Sequence, residues 1–326
     1  MGPLVDPVRI ACGSRPICIA MLLFFVMAGM GEADQCKPVE TAGMIRGRLA
    51  ERLDRHLQSD TKLAFSGSVL VAKGGEIVLH HGYGWADREN CLPVTNETAF
   101  WIGSLSKQFV GAAILRLQQQ GKLALDDPLG KHLENLPAGK RGITVHQLLT
   151  HTSGLGQRYA ADGIADRDAA IRALTRKPRS IDRPTTYTYS NDGYNLLAIL
   201  IATVSDQSFD AYLREHLFDP AGRDYTTTSG VRRDGVVVAG RGPGASSTGD
   251  PQDWPENWGF RGATGAITTT GDLYRWYRAL HSGAILAEAG RKLLFQPHVR
   301  KREGLHYAYG WQIADTAPRE ADRAFG

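Results

Sequence analysis

The chain has 326 residues, 42% of them hydrophobic and 22% charged, with a formal net charge of +4 at pH 7. That length and composition suit one large globular domain or two interleaved subdomains around a sizeable core. The charge is small for the length and no dense Lys/Arg run is present, so nucleic-acid binding is disfavoured.

Arg9 and Arg15 precede the apolar stretch 17–31 (ICIAMLLFFVMAGMG), followed by Ala33 and polar Asp34 and Gln35. This is the layout of a secretory signal peptide. The run is shorter than the roughly 20 residues of a spanning helix, so a leader over 1–33, cut after Ala33, is expected rather than a membrane anchor. The mature chain is then exported, periplasmic or secreted, with no stable membrane span. Ala33-Asp34-Gln35 before Cys36 does not resemble a lipobox. Cys36 and Cys91 are left in the mature part. They either pair in an oxidising compartment or are two unrelated cysteines, since sequence sets no distance between them. No Cys/His cluster has zinc spacing, and neither a metal nor another cofactor is expected.

Along the chain, Ile45, Leu49, Leu53 and Leu57 recur every fourth residue among charges, which predicts an amphipathic helix with one buried stripe. Residues 68–72, the pair Gly74-Gly75 and residues 77–81 predict a β-hairpin turned on glycines. A helix laid on an antiparallel sheet is the start of an α/β sandwich. Residues 107–119 predict a helix ending at Gly121, and 145–149 a short helix after Thr144. Residues 193–205 are nearly all apolar and predict a buried core helix. The Gly-, Pro-, Ser-, Asp- and Arg-rich stretch 232–257 reads as a long irregular segment over the active site. Residues 272–280 predict another helix, and 307–313 (YAYGWQI) a strand.

The strongest chemical signal is the S-x-x-K of Ser104 and Lys107 at the start of a helix. Residues three apart share a helix face, so the Lys107 amine can reach the Ser104 hydroxyl and take its proton, provided burial or nearby positive charge has removed its own. The bland alternative makes Ser104 an N-cap and Lys107 a solvated helix residue. Tyr189-Ser190-Asn191 directly precedes the buried helix, where its side chains can point into a cleft.

With these residues the chain resembles the serine β-lactamase and penicillin-binding-protein superfamily, in particular class C β-lactamases and their esterase and peptidase relatives. Tyr189-Ser190-Asn191 matches their second motif. Residues 125–129 (LDDPL), 143–155 (ITVHQLLTHTSGL), 262–265 (GATG) and 269–273 (TTGDL) match further segments in family order. The resemblance implies an α/β (α+β) fold, an antiparallel sheet flanked by helices with a mostly helical second subdomain inserted at about 105–260 of a domain over 34–326. It implies that Tyr189 shares proton transfer with Lys107 and that Asn191 hydrogen-bonds substrate or Lys107. His151, in a Thr-Ser-Gly loop, is read as structural, and Gly262 and Gly265 as sites of close backbone approach.

The superfamily's third motif, K-T-G or H-x-G, follows the Y-G-W-like strand, and no match stands there; His80-His81-Gly82 and His281-Ser282-Gly283 lie elsewhere. The expectation is a chain incomplete at its C-terminus and short of one oxyanion donor. The leading reading is a serine hydrolase that forms an acyl-enzyme on a small-molecule or peptide substrate: an ester, a D-amino-acid peptide or a β-lactam. The rival is a non-catalytic, penicillin-binding-like binder of cell-wall peptide or of a partner protein. Oligomeric state is not legible.

Overall fold

The computed structural model describes residues 41–61, 65–176, 186–222, 224–233, 236–239 and 250–315, together with Cys36 and the backbones of Ala20–Leu23 and Val26–Met27. Of the stretch read as a leader, those two backbone segments lie antiparallel along the strand Phe65–Lys73, and the rest falls outside the described residues.

The strand Phe65–Lys73 pairs antiparallel with Glu76–Tyr83, which pairs in turn with Met44–Ile45. Gly74 and Gly75 turn the hairpin at φ +62 and +85, backbone that side-chain-bearing residues rarely adopt. The run at 69–72 is apolar throughout because both faces of the strand are covered. Val69 and Val71 pack under helix α1 (Gly47–Thr61), while Leu70 and Ala72 meet Tyr274 of α7 (Thr270–Ser282) on the other side. The α/β sandwich expected from the sequence is thus present, with an antiparallel sheet between helices.

The buried face of α1 differs from the expected stripe. Ala50 and Leu57 are buried with Asp54, which accepts the Tyr83 hydroxyl at 2.9 Å, whereas Leu49 is 39% exposed and Ile45 belongs to a strand. The fourfold spacing hid the true face because a small alanine and a bonded aspartate form the contact surface.

Helix α2 (Lys107–Gln119) is followed by α3 (Val145–Leu149), α4 (Arg167–Thr175), α5 (Asn191–Ser205) and α6 (Phe209–Leu213), and packs on α5 and α6. Helix α5 is the axis of the main core, touching α2, α3, α4 and α6, with Tyr194 and 196–201 fully buried. Its start is set by Ser190, whose Oγ accepts the Gly193 N–H at 2.8 Å. Thr144 and Gln147 close a capping box on α3. No single helix among the described residues is long and apolar enough to cross a membrane.

The stretch 307–313 is not one strand. Leu305–Tyr307 and Gln312–Ala314 are two strands of a hairpin, with Tyr307 opposite Gln312 and the Ala308 N–H donating to Trp311 O at 2.8 Å. Gly310 makes the bend at φ +85 and presses on the first turn of α2, where a Cβ would stand 2.5 Å from Lys107 O. The alternation that reads as a strand is an aromatic turn packed against the first turn of α2. A helix α8 (Glu288–Phe295) precedes this hairpin. The open question of the cysteines is resolved as a disulfide between Cys36 and Cys91, whose Cα atoms are 5.4 Å apart.

Candidate active site

Ser104 lies in a 3-10 turn, Gly103–Ser106, that runs straight into α2, and Lys107 is the first α-helical residue. With three residues per turn, positions i and i+3 of such a turn eclipse, which places Lys107 over Ser104 more directly than an α-helix would. The turn is anchored from both sides. The short strand Phe100–Trp101 pairs with Ala266–Thr268, and the Ile102 N–H donates to Ala266 O at 3.0 Å. Ser106 is buried, donates to Gly103 O at 2.6 Å and accepts the Ala266 N–H at 2.9 Å. Two serines two residues apart therefore have opposite situations: Ser104 is exposed and Ser106 is a buried clamp.

Lys107 is 1% exposed, and burial pushes its amine well below the usual lysine range. Its Nζ stands 3.1 Å from Ser104 Oγ, 2.9 Å from Asn191 Oδ1 and 2.9 Å from Ala263 O. The last two are carbonyl oxygens and only accept, so they take two N–H groups. A neutral amine has two N–H groups and one lone pair, and the position left for the lone pair faces Ser104. The Asn191 amide is oriented for this by its Nδ2, which donates to Gln157 O at 3.1 Å.

The Tyr189 hydroxyl is 2.7 Å from Ser104 Oγ. Burial pushes this phenol up to about 12, against the opposing effect of the hydrogen bond with Ser104, so it is held neutral at ordinary pH. The Lys107 amine sits 4.8 Å from the centre of its ring. The four candidate residues, Ser104, Lys107, Tyr189 and Asn191, are thus brought together in one hydrogen-bonded cluster.

His151 does not touch Ser104; it holds the segment that carries Tyr189. Its carbonyl accepts the Thr188 N–H at 2.8 Å, its Nδ1 accepts the Ser190 N–H at 3.0 Å, and its ring lies 4.5 Å from the Tyr189 ring. Full burial pushes this imidazole well down, and with Nδ1 accepting, the proton is on Nε2. Its backbone is left-handed, φ +60, a conformation a bulky residue adopts only where its surroundings hold it.

Sequence reasoning missed Asn195, one helical turn beyond Asn191. Buried in α5, it accepts the Gly262 N–H at 3.2 Å and the Ala263 N–H at 2.9 Å and donates to Gly259 O. Those bonds hold the segment whose Ala263 carbonyl meets Lys107. The available signal was an amide at i+4 from Asn191 in an otherwise apolar helix. Gly262 allows the approach, since a Cβ there would stand 2.0 Å from Tyr194 O, and Gly265 is tight against Arg261 at 3.0 Å. The two H-x-G strings lie outside this cluster: His80 bonds Thr270, and His281 bonds Tyr277 O within α7. Among the described residues no group of three His, Cys, Asp or Glu could hold a metal ion.

An antiparallel sheet between helices, joined to a helical layer that presents a Ser-x-x-Lys pair and a Tyr-x-Asn, is the arrangement of the serine β-lactamase and penicillin-binding-protein superfamily. The chain belongs to the beta-lactamase family, whose model matches residues 53–326. It is 29% identical over 248 residues to the Bacillus subtilis (strain 168) protein that bears the name penicillin-binding protein PbpX, covering 76% of this chain and 62% of that one. It thus spans less than two thirds of that relative's length. In structure it resembles a penicillin binding protein from Bacillus halodurans (TM-score 0.68, 24% identity, 80% of this chain and 83% of that one). It also resembles the D-amino acid amidase of Ochrobactrum anthropi SV3 (TM-score 0.63, 22% identity, 81% and 82%).

Proposed function

We propose that the chain is an acyl-enzyme serine hydrolase of small esters or amides, with Ser104 as nucleophile, Lys107 as base and Tyr189 as proton carrier. The observation that carries this reading is the buried Lys107 Nζ 3.1 Å from Ser104 Oγ, with the carbonyl oxygens of Asn191 and Ala263 placed to take the two N–H groups of its neutral form and leave the lone pair toward Ser104. As Ser104 Oγ bonds to the substrate carbonyl carbon, its proton passes to Lys107 Nζ. Tyr189 gives its phenolic proton to the leaving oxygen or nitrogen, whose bond to that carbon breaks. The resulting phenolate, stabilised beside the Lys107 ammonium, takes a proton from water as the hydroxide attacks the acyl group. The proton on Lys107 then returns to Ser104 Oγ.

Esters and D-amino-acid amides or peptides are favoured over β-lactams as substrates; the likeness to a D-amino acid amidase supports including amides. Export to an oxidising compartment is part of the same proposal, supported by the leader-like sequence over 1–33 and by the Cys36–Cys91 disulfide. The test is labelling with a fluorophosphonate and with a fluorescent penicillin. The wild type and Ser106→Ala should be labelled and Ser104→Ala should not. A folded wild type that neither reagent labels, yet that binds cell-wall peptide, would instead be a non-catalytic binder.

A further inference from the structure

Four aromatic side chains outside the Ser104–Lys107–Tyr189 cluster converge beside it. Trp101, three residues before Ser104, meets Trp254 at 5.2 Å and Phe260 at 6.3 Å between ring centres, both nearly perpendicular at 79° and 88°. Tyr159 lies 4.8 Å from Phe260. Trp254 and Phe260 are half-buried, and Trp101 and Tyr159 each remain 37% exposed.

Two of these rings, Trp101 and Tyr159, are tied to Thr264, next to the residue whose carbonyl receives Lys107. The Trp101 indole N–H donates to Thr264 O, next to the Ala263 carbonyl that receives Lys107. The Tyr159 hydroxyl interacts with the Thr264 side chain, and Tyr159 follows by two residues the Gln157 carbonyl that orients Asn191. Tyr159 is also near enough to Tyr189 to act on its phenol electrostatically, so the corner stands beside the reacting atoms. Perpendicular aromatic walls accept a further ring edge-on or offset, and their polar tips are already occupied by protein groups. The neighbouring cation, Arg261, is buried and engaged by Glu256 at 2.8 Å and Asp210 at 3.1 Å, so it is committed to the protein and not to a ligand.

We propose that the corner formed by Trp101, Tyr159, Trp254 and Phe260 is a specificity pocket for an uncharged aromatic group on the ester or amide that Ser104 attacks. This rests on the hydrolase reading for its chemistry, and its binding is testable without it. Two measurements separate them. The first is hydrolysis of ethyl phenylacetate and benzyl acetate, which carry a ring on opposite sides of the ester, against ethyl acetate. The second is quenching of tryptophan fluorescence in the Ser104→Ala protein by phenylacetamide against acetamide. At least one aryl ester should exceed ethyl acetate in kcat/KM by about ten-fold, the factor that roughly 1.4 kcal/mol of ring contact supplies. Phenylacetamide should bind about ten-fold more tightly than acetamide. Trp254→Ala and Tyr159→Ala should each cut the aryl preference at least three-fold, whereas Trp254→Phe and Tyr159→Phe, which keep a ring, should retain most of it. Equal binding of the two amides, or aryl preference unchanged in both alanine variants, overturns the pocket. Aryl-selective binding with no hydrolysis of any ester leaves the pocket standing and sinks the hydrolase reading.

Discussion

At the residue scale, the proposed reaction needs Lys107 to act as a base, and burial pushes the amine down in that direction. The sign follows directly: below its lowered folded pKa the amine is protonated and cannot accept from Ser104, and above it the lone pair is free. Acylation should therefore rise with pH through that lowered value and reach its plateau far below the ordinary lysine range near 10.4. Lys107→Arg should be nearly as damaging as Lys107→Ala, because guanidinium keeps its proton at every working pH. Stopped-flow acylation of the two variants checks this, and near-wild-type rates in the Arg variant would reduce Lys107 to an electrostatic role. His151 acts one step away, through the backbone on either side of Tyr189. His151→Ala should lower kcat about ten-fold or more with little change in KM, since Tyr189 then loses its fixed approach to Ser104. His151→Asn should recover part of that loss: Asn tolerates positive φ and presents an acceptor where Nδ1 stood. Equal kinetics in the two variants would contradict a positioning role.

At the element scale, the lysine is held by two segments far apart in the chain, the first turn of α5 and the 259–263 loop, and Asn195 joins them. Replacing it with Ala leaves the buried N–H groups of Gly262 and Ala263 and the Gly259 carbonyl without that partner. The expected cost is about 2–4 kcal/mol of stability. Because the Ala263 carbonyl then loses its support, acylation should fall as well, while Asn195 itself touches neither Ser104 nor Tyr189. Thermal unfolding and labelling rate, measured together on Asn195→Ala, check both. A variant that melts lower but acylates at the wild-type rate would make Asn195 a stability residue alone.

At the scale of the whole molecule, the disulfide ties Cys36, near the start of the described chain, to the loop at Cys91 across 55 residues that contain α1 and the central hairpin. Closing a loop of that size removes about 4 kcal/mol of unfolded-state freedom in the chain-entropy account. Reduction, or the Cys36→Ser/Cys91→Ser pair, should lower the melting temperature by several degrees with the labelling of Ser104 retained in the folded protein. The reason is that the bond lies on the sheet layer, whereas the Ser104 cluster is built from α2, α5 and the 259–264 segment.

The local features were legible in the sequence. Gly74-Gly75 demanded the hairpin turn, Thr144 the start of its helix, and the spacing of Ser104 and Lys107 their encounter, because each depends on neighbours within a few residues. Other features took the tertiary structure to decide. The stripe of α1 was misplaced because its buried face is completed by Asp54, whose partner Tyr83 is 29 residues away. The turn at Gly310 reads as strand because its cause is the surface of α2, pressed against it from far earlier in the chain at Lys107. The pairing of Cys36 with Cys91 was likewise a matter of distance. The lowered basicity of Lys107 is the deepest case: its residue type and spacing are local, but its amine is pushed down by burial against segments remote in sequence, and such desolvation exists only once the chain has folded around it.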